Sequence, residues 1–183
     1  EFDRFGIRRL LHPIAAVSPS RLTTVERKLL LANDIPGVRI ADTQLEEIGT
    51  LSGKFRLVIK LETWNIFTTQ GIDNTGSQAS GPWQAYASTS FNSYFNKGDS
   101  LNVSLSTVPD SMREAAFARI SYEVPIGMDG FRFGALASHN DVWPGDFRRD
   151  IHSRTSYDTF ELKGTIVPYQ TQKVSFALSA SAA

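Results

Sequence analysis

The sequence predicts a mainly β protein, in which a small α+β unit at residues 1–63 precedes antiparallel strands at residues 64–183. Convincing helix signals occur before residue 63, and the remainder alternates apolar with polar residues at a period of two. Short and long connections between the strands also alternate along the chain. These observations together predict an up-and-down sheet with one apolar and one polar face.

Two helices are predicted in the N-terminal unit. Thr23 and Glu26 have the spacing of a capping box, so a helix should begin at Thr23. It should end within residues 33–37, where Pro and Gly follow Asn and Asp. A shorter helix is expected from Gly6 to His12, since Pro13 disfavours helical geometry in the residue before it.

Extended segments account for the rest of the chain. Two of them, at residues 38–45 and 55–61, complete the N-terminal unit. A later segment shows the alternation clearly. One strand face carries Ala116, Ala118, Ile120, Tyr122 and Val124, and the other face carries Arg119, Ser121 and Glu123. About seven such strands are expected, near residues 64–72, 82–92, 99–108, 115–125, 130–140, 155–167 and 172–181.

The connections favour a transmembrane barrel. Residues 96–99, 125–130 and 168–171 have the composition of tight turns, whereas residues 73–81, 109–114 and 141–154 form longer links. Outer-membrane barrels have short periplasmic turns and long outer loops, with lipid outside the wall and water inside. The sequence therefore predicts antiparallel up-and-down transmembrane β-barrel strands, in an incomplete barrel of about seven strands.

A soluble β-sandwich binding module is the alternative from another structural class, because its strands alternate as well. Aromatic residues near strand ends favour the barrel, since barrels carry aromatic girdles at the membrane interfaces; they are Phe91, Tyr94, Phe95, Tyr122, Phe131, Phe133 and Phe176. The predicted strands are also long for a sandwich.

Composition limits the possible functions. The net charge is zero and there is no cysteine, so we expect no nucleic-acid partner, disulfide or thiolate chemistry. No run of about 18 apolar residues predicts a membrane-spanning helix. The chain starts at Glu1 with no signal-peptide pattern, and we expect an internal fragment.

No catalytic, cofactor-binding or metal-binding residue is predicted. Two His and three Asp in one long link, His139, Asp141, Asp146, Asp150 and His152, fit no metal motif, and a solvated loop is the favoured interpretation. Arg148 and Arg149 belong to the same exposed loop. Ser77 and Ser80 lie between glycines without forming a nucleophile elbow. We expect neither an enzyme nor a small-molecule substrate.

Four motifs carry a resemblance to a known family. Residues 29–38, LLLANDIPGV, resemble the end of the second POTRA domain in outer-membrane transporters of two-partner secretion, the haemolysin activation and secretion (TpsB) family. Three further motifs resemble that family's first link and its first two periplasmic turns, in the family's order. The matching positions include Asp73, Asn74, Gly76, Gly81, Gly98, Asp99, Pro125, Gly127 and Gly130.

The resemblance implies a periplasmic POTRA domain, incomplete at its N-terminus, followed by the first part of an outer-membrane barrel. Such a protein exports a large secreted partner protein without ATP, and its other partner is outer-membrane lipid. Family barrels have more strands than this chain supplies, which again implies a fragment. A barrel-assembly or autotransporter-assembly protein of the same superfamily is the nearest alternative.

Two groups of residues follow as candidate sites. POTRA domains hold extended clients by strand addition, and the candidate edge comprises Val38, Arg39, Ile40, Ala41, Thr43 and Leu45; the alternative is a strand that merely completes the small sheet. Arg119, Glu123, Glu161 and Lys163 fall on the polar face, where they either line a hydrated lumen or pair with one another across the wall.

Overall fold

The computed structural model describes residues 2–16, 21–49, 52–76, 82–110, 114–144 and 153–183. The N-terminal unit (residues 2–63) contains α1 (Ile7–Ala16), α2 (Leu22–Asn33), β1 (Val38–Glu47) and β2 (Phe55–Thr63). The two predicted extended segments are strands, and they pair antiparallel. The helices cover one end of this hairpin through the buried residues Phe5, Ile7, Ala32, Ile35 and Val38.

Both helices differ from the prediction at their starts or ends. Helix α1 continues through Pro13 to Ala16, because Leu10 and Leu11 pack against the core and this contact outweighs one missing backbone hydrogen bond. Helix α2 begins at Leu22, and no side chain caps it. The predicted capping box is absent, because the helix begins before Thr23, and the Glu26 carboxylate accepts a hydrogen bond from the backbone N–H of Gln172. The predicted end of α2 is confirmed at Asn33.

The described residues after the hairpin form a seven-stranded antiparallel sheet in sequence order, which confirms the mainly β, up-and-down prediction. Its strands are β3 (Ile66–Asp73), β4 (Gln84–Asn92), β5 (Ser100–Thr107), β6 (Ala115–Ile126), β7 (Phe131–Val142), β8 (Thr155–Gln170) and β9 (Ser175–Ala182). The outermost strands, β3 and β9, do not pair with each other, so the sheet is open. An incomplete barrel has this topology.

One predicted turn was placed wrongly, and the turn predicted at residues 96–99 is present but belongs to a longer connection. Strand β8 continues through Pro168, which lies in a register shift between Ile166 and Tyr169 where a proline is tolerated. The turn follows at residues 171–174, closed by the Thr171 N–H and the Val174 carbonyl at 2.8 Å. The turn between β4 and β5 spans residues 93–99, so it is no shorter than the link at residues 108–114. The contrast between short and long connections is therefore clear for the later strands. It is absent between the β4–β5 and β5–β6 connections, which have the same length.

The register gives the sheet two chemically different faces. Leu105, Ile120, Phe160 and Leu178 lie on the apolar face, where between 49% and 60% of each remains exposed. In the described chain no second sheet packs against this face, whereas the sandwich alternative requires one. Neither described helix has the length and hydrophobicity needed to cross a membrane.

Candidate functional site

The N-terminal unit docks on the end of the sheet where β4–β5, β6–β7 and β8–β9 turn. We call this contact the junction; α2 contributes Arg27 and Lys28 to it. The Lys28 ammonium donates to the Met128 carbonyl at 2.6 Å and to an Asp129 carboxylate oxygen at 3.1 Å. Arg27 donates to the carbonyls of Asp129 and Val167 at 3.2 and 3.0 Å. Because Lys28 is 6% exposed, these bonds satisfy a buried cation.

One side chain and one backbone N–H from the β8–β9 end complete the polar part of the junction. The Gln170 amide donates to Asp34 at 2.7 Å, and the Gln172 N–H donates to Glu26 at 2.9 Å. One helix therefore contacts two successive turns of the sheet. Such paired contacts restrain rotation of the N-terminal unit as well as its separation from the sheet.

The apolar part of the junction depends on close approach of the turns. Gly98 and Gly130 have φ values of +78° and +82°. A Cβ built on Gly130 would lie 2.8 Å from Leu31 Cδ2, and one on Gly98 would lie 3.3 Å from the Phe5 carbonyl oxygen. The remaining cleft is about 70 Å³, enough for a few waters but not for a substrate. The junction is therefore a packed interface, not a ligand pocket.

The structure brings some of the family-motif residues together and separates others. Gly98, Asp99, Pro125 and Gly130 lie at or beside the junction, whereas a Cβ on Gly127 would touch nothing within 4 Å. Asp73, Asn74 and Gly76 lie at the opposite end of the sheet, where Asp73 accepts bonds from the backbone and hydroxyl of Thr75. Gly81 is outside the described residues, as are Ser77 and Ser80.

Asp99 fixes the β4–β5 turn. Its carboxylate is fully buried and accepts from the amides of Tyr94 and Asn96 at 3.0 and 2.7 Å. The Tyr122 hydroxyl donates to it at 2.7 Å, which ties the turn to strand β6. A buried carboxylate is stable when hydrogen bonds of this kind satisfy its oxygens.

The predicted edge strand is partly blocked by its own unit. The N–H of Ile40 donates to the Asn33 side chain at 2.9 Å, and that of Thr43 donates to Asp42 at 2.8 Å. A bulge at Ala41 interrupts the same stretch. Of the other predicted edge residues, Val38 is buried in the core and Arg39 is exposed.

At the C-terminal half of β1, the same edge has outward N–H groups without a hydrogen-bond partner among the described residues. Since strand amides alternate in direction, the N–H groups of Leu45 and Glu47 point away from β2 like that of Thr43. No acceptor among the described residues reaches them. Leu45 is 61% exposed.

The predicted lumen residues share one face of the sheet, because the register aligns Arg119, Glu123, Glu161 and Lys163 on the same side. In the described chain none of the four pairs with another. Glu123 forms an ion pair with Arg132, whose guanidinium also lies 3.4 Å from the Gly98 carbonyl. Mutual pairing across the wall is therefore wrong for the described residues.

Charged residues also cluster at the end of the sheet opposite the junction. His139 and Asp158 are 2.7 Å apart, and Arg154 binds Asp141 through two bonds of 2.9 and 2.8 Å. The hydrogen bonds and charge of Asp141 raise the pKa of Arg154. Within the described ranges no three His, Asp or Glu side chains converge as metal ligands would. Asp146, Arg148, Arg149, Asp150 and His152 lie outside those ranges.

Sequence reasoning missed Arg27 and Lys28 at the junction and Arg132 on the polar face of the sheet. Helical cations usually face solvent, but Lys28 lies three and four positions before the apolar Leu31 and Ala32, on one helix face. That placement is a signal for a buried, paired lysine. Arg132 alternates with Phe131 and Phe133, which already assigns it to the polar face.

Comparison with known proteins gives a family match that extends over the whole sheet. The family model described as haemolysin secretion/activation protein ShlB/FhaC/HecB matches residues 56–183. The heme/hemopexin transporter protein HuxB of Haemophilus influenzae (strain 86-028NP) is 31% identical over 116 residues, covering 63% of this chain and 20% of HuxB. The chain thus spans about a fifth of this curated relative. No solved structure gives a significant match.

Proposed function

Because this chain belongs to the haemolysin secretion/activation family ShlB/FhaC/HecB, we propose that it forms part of an outer-membrane pore that exports a large partner protein without ATP. In this proposal residues 1–63 are a POTRA-like periplasmic domain, and residues 64–183 are the N-terminal part of the barrel wall. The family is a secretion family, and the proposal gives the chain no enzymatic step.

The observation that carries the proposal is the open sheet with one apolar face, one polar face and a small domain docked on its turn end. An apolar face this broad suits contact with lipid, whereas soluble monomers seldom expose patches above a few hundred Å². The polar face then lines the lumen, where Arg119, Glu161 and Lys163 offer charges to a passing polypeptide. Docking at the turn end supports a periplasmic location for the N-terminal unit.

The open half of the β1 edge is the proposed docking site for the client. An extended polypeptide adds to a sheet by pairing with outward-pointing N–H and C=O groups. Ile40 and Thr43 have their outward N–H groups occupied by side chains, so pairing should begin at Leu45 and Glu47. This moves the candidate edge from Val38–Leu45 to residues 45–47, at the C-terminal end of β1.

The proposal is tested by comparing the secreted proteins of a strain that lacks the gene for this chain with those of its parent. We expect one large protein to disappear from the medium and to return when the gene is restored. The control is the set of integral outer-membrane proteins, which should be unchanged. An unchanged medium together with depleted outer-membrane barrels would favour the barrel-assembly alternative and contradict export.

The lost protein can then be assayed for its own ligand. The relative HuxB is named for the transport of heme/hemopexin, so heme and hemopexin binding are the first properties to measure in the client. If the client binds heme or hemopexin, the similarity between this chain and HuxB extends to the protein that is exported. Failure to bind would leave the export proposal intact.

A further inference from the structure

The linker between the N-terminal unit and the sheet consists of residues 64 and 65, between β2 and β3. The N–H of Trp64 donates to the Gly37 carbonyl at 2.8 Å, which extends the hairpin ladder one step past its last strand pair. The N–H of Asn92 donates to the Asn65 carbonyl at 2.7 Å, which extends the β3–β4 ladder in the same way. The two ladders therefore meet at a single peptide bond.

The side chain of Asn92 joins these two ladders. It lies at the end of β4 and is 4% exposed. Its amide donates to the Trp64 carbonyl at 3.0 Å, and its side-chain oxygen accepts from the Ser100 hydroxyl at 3.0 Å, which orients the amide. Asn92 therefore bonds to both linker residues, and both ends of its buried amide have a partner.

Gly37 packs against the same linker from the side of the helices. Its φ is +76°, and a Cβ at this position would lie 2.3 Å from the Trp64 carbonyl oxygen and 2.6 Å from Asn92 Nδ2. A glycine is required for so close an approach. Because Gly37 follows α2, the helix that forms the junction also contacts the linker through its C-terminal connection. The N-terminal unit is thus held at two places, the junction and the linker.

Domain hinges rely on a few residues whose φ and ψ angles are free to change. Both carbonyls of the linker and the N–H of Trp64 are hydrogen-bonded, so the linker lacks this freedom. We propose that the linker is a rigid joint in which Asn92 positions the N-terminal unit, and that the client is exported while this unit stays docked. The inference rests on the proposed function for the client and its export. Strand β1, which carries the docking edge, then keeps one orientation relative to the wall.

The first test measures the distance between two nitroxide labels in the full-length gene product that contains this chain, reconstituted in phospholipid vesicles. The chain has no cysteine, so Lys60→Cys places one label on the hairpin and Leu105→Cys places the other on the wall, both at exposed positions. Asn92→Ala removes the contacts with Trp64 and Ser100. Asn102→Ala is the matched control, because the Asn102 amide donates to two serine side chains within the sheet, at 3.0 and 2.9 Å.

We expect one narrow distance distribution for the parent and for Asn102→Ala, and a distribution at least twice as wide for Asn92→Ala. A wide distribution in the parent would reveal a hinge and overturn the inference. Equal widths in the two variants would overturn the positioning role of Asn92. Because this measurement does not depend on export, it separates a failure of the joint from a failure of the proposed function.

The second test asks whether export proceeds from the docked arrangement. A Cβ on Gly6 would lie 3.2 Å from Lys97 Cβ, close to the roughly 3.5–4.5 Å that a disulfide spans. Gly6→Cys combined with Lys97→Cys therefore cross-links the N-terminal unit to the β4–β5 turn, and a non-reducing gel measures the cross-linked fraction. We expect client secretion within twofold of the level after reduction. A tenfold loss on cross-linking that a reductant reverses would overturn export from the docked arrangement.

The same cross-link distinguishes positioning by Asn92 from a contribution to folding alone. Asn92→Ala should lower client secretion severalfold, and the Gly6–Lys97 cross-link should restore at least half of the parent level, since it holds the unit in place by another contact. Absence of this rescue would overturn the positioning role. A parent chain that exports no client would instead overturn the proposed function.

Discussion

Lys28 is a buried cation whose partners belong to another part of the chain. Its ammonium satisfies the Met128 carbonyl, while the ion pair with Asp129 involves a carboxylate that is 80% exposed. The bond to the Met128 carbonyl is partly buried, and leaving such a group without a donor costs up to about 1–3 kcal/mol, whereas exposed ion pairs contribute about 0–1 kcal/mol. The carbonyl bond should therefore dominate the contribution of Lys28 to the junction.

Replacing Lys28 by Met should loosen the junction without unfolding the sheet. Hydrogen exchange in peptides covering α2 and residues 127–130 should accelerate about 5- to 150-fold, the equivalent of 1–3 kcal/mol. Asp129→Asn is the matched control, because it removes the charge and keeps a side-chain oxygen; we expect little change. Equal acceleration in both variants would show that the ion pair, not the carbonyl bond, holds the contact.

Gly130 and Gly127 lie in the same turn and allow a matched comparison. Both have positive φ, so an alanine at either costs about 1–2 kcal/mol in backbone conformation. A Cβ at Gly130 would also lie 2.8 Å from Leu31, while one at Gly127 meets nothing within 4 Å. Gly130→Ala should therefore open the junction to protease at α2 faster than Gly127→Ala. Equal cleavage rates would contradict the packing of Leu31 against this turn.

At the scale of elements, the open edge of β1 predicts which single backbone N–H groups client secretion depends on. Leu45→Pro removes an outward N–H at a position where an edge strand tolerates proline, and Leu45→Ala removes the side chain alone. Client secretion should be lower with Leu45→Pro than with Leu45→Ala. At Thr43, where the N–H already binds Asp42, the corresponding Pro and Ala variants should secrete equally. A proline-specific loss at Thr43 and none at Leu45 would reverse the assignment of the open edge.

The strands were predictable and some of their boundaries were not, for a physical reason. Burial of one face imposes a two-residue period on every strand, and that period is visible in the sequence alone. Pro168 was interpreted as part of a turn because proline normally ends a ladder, yet a bulge accommodates it. The capping box failed similarly: its Glu26 bonds to Gln172, a residue 146 positions away. Local rules cannot anticipate partners that the fold brings from elsewhere.

At the scale of the whole molecule, the proposed arrangement places each end of the sheet on one side of the outer membrane. Residues 74–76, which follow β3, and the turn at residues 171–174 lie at opposite ends of the wall. The N-terminal unit docks at the end with the second of these. Sequence reasoning predicted the alternation of the connections, but the docking depends on Arg27, Lys28 and the turn glycines, whose partners are distant in the chain.

Cysteine labelling in intact cells tests this arrangement most directly. Asn74→Cys and Lys173→Cys place single, exposed thiols at the two ends of the sheet in a chain without native cysteine. A membrane-impermeant maleimide should label residue 74 in intact cells, and residue 173 after the outer membrane has been permeabilised. Labelling of residue 173 in intact cells, with or without residue 74, would contradict a barrel wall whose turns and N-terminal unit face the periplasm.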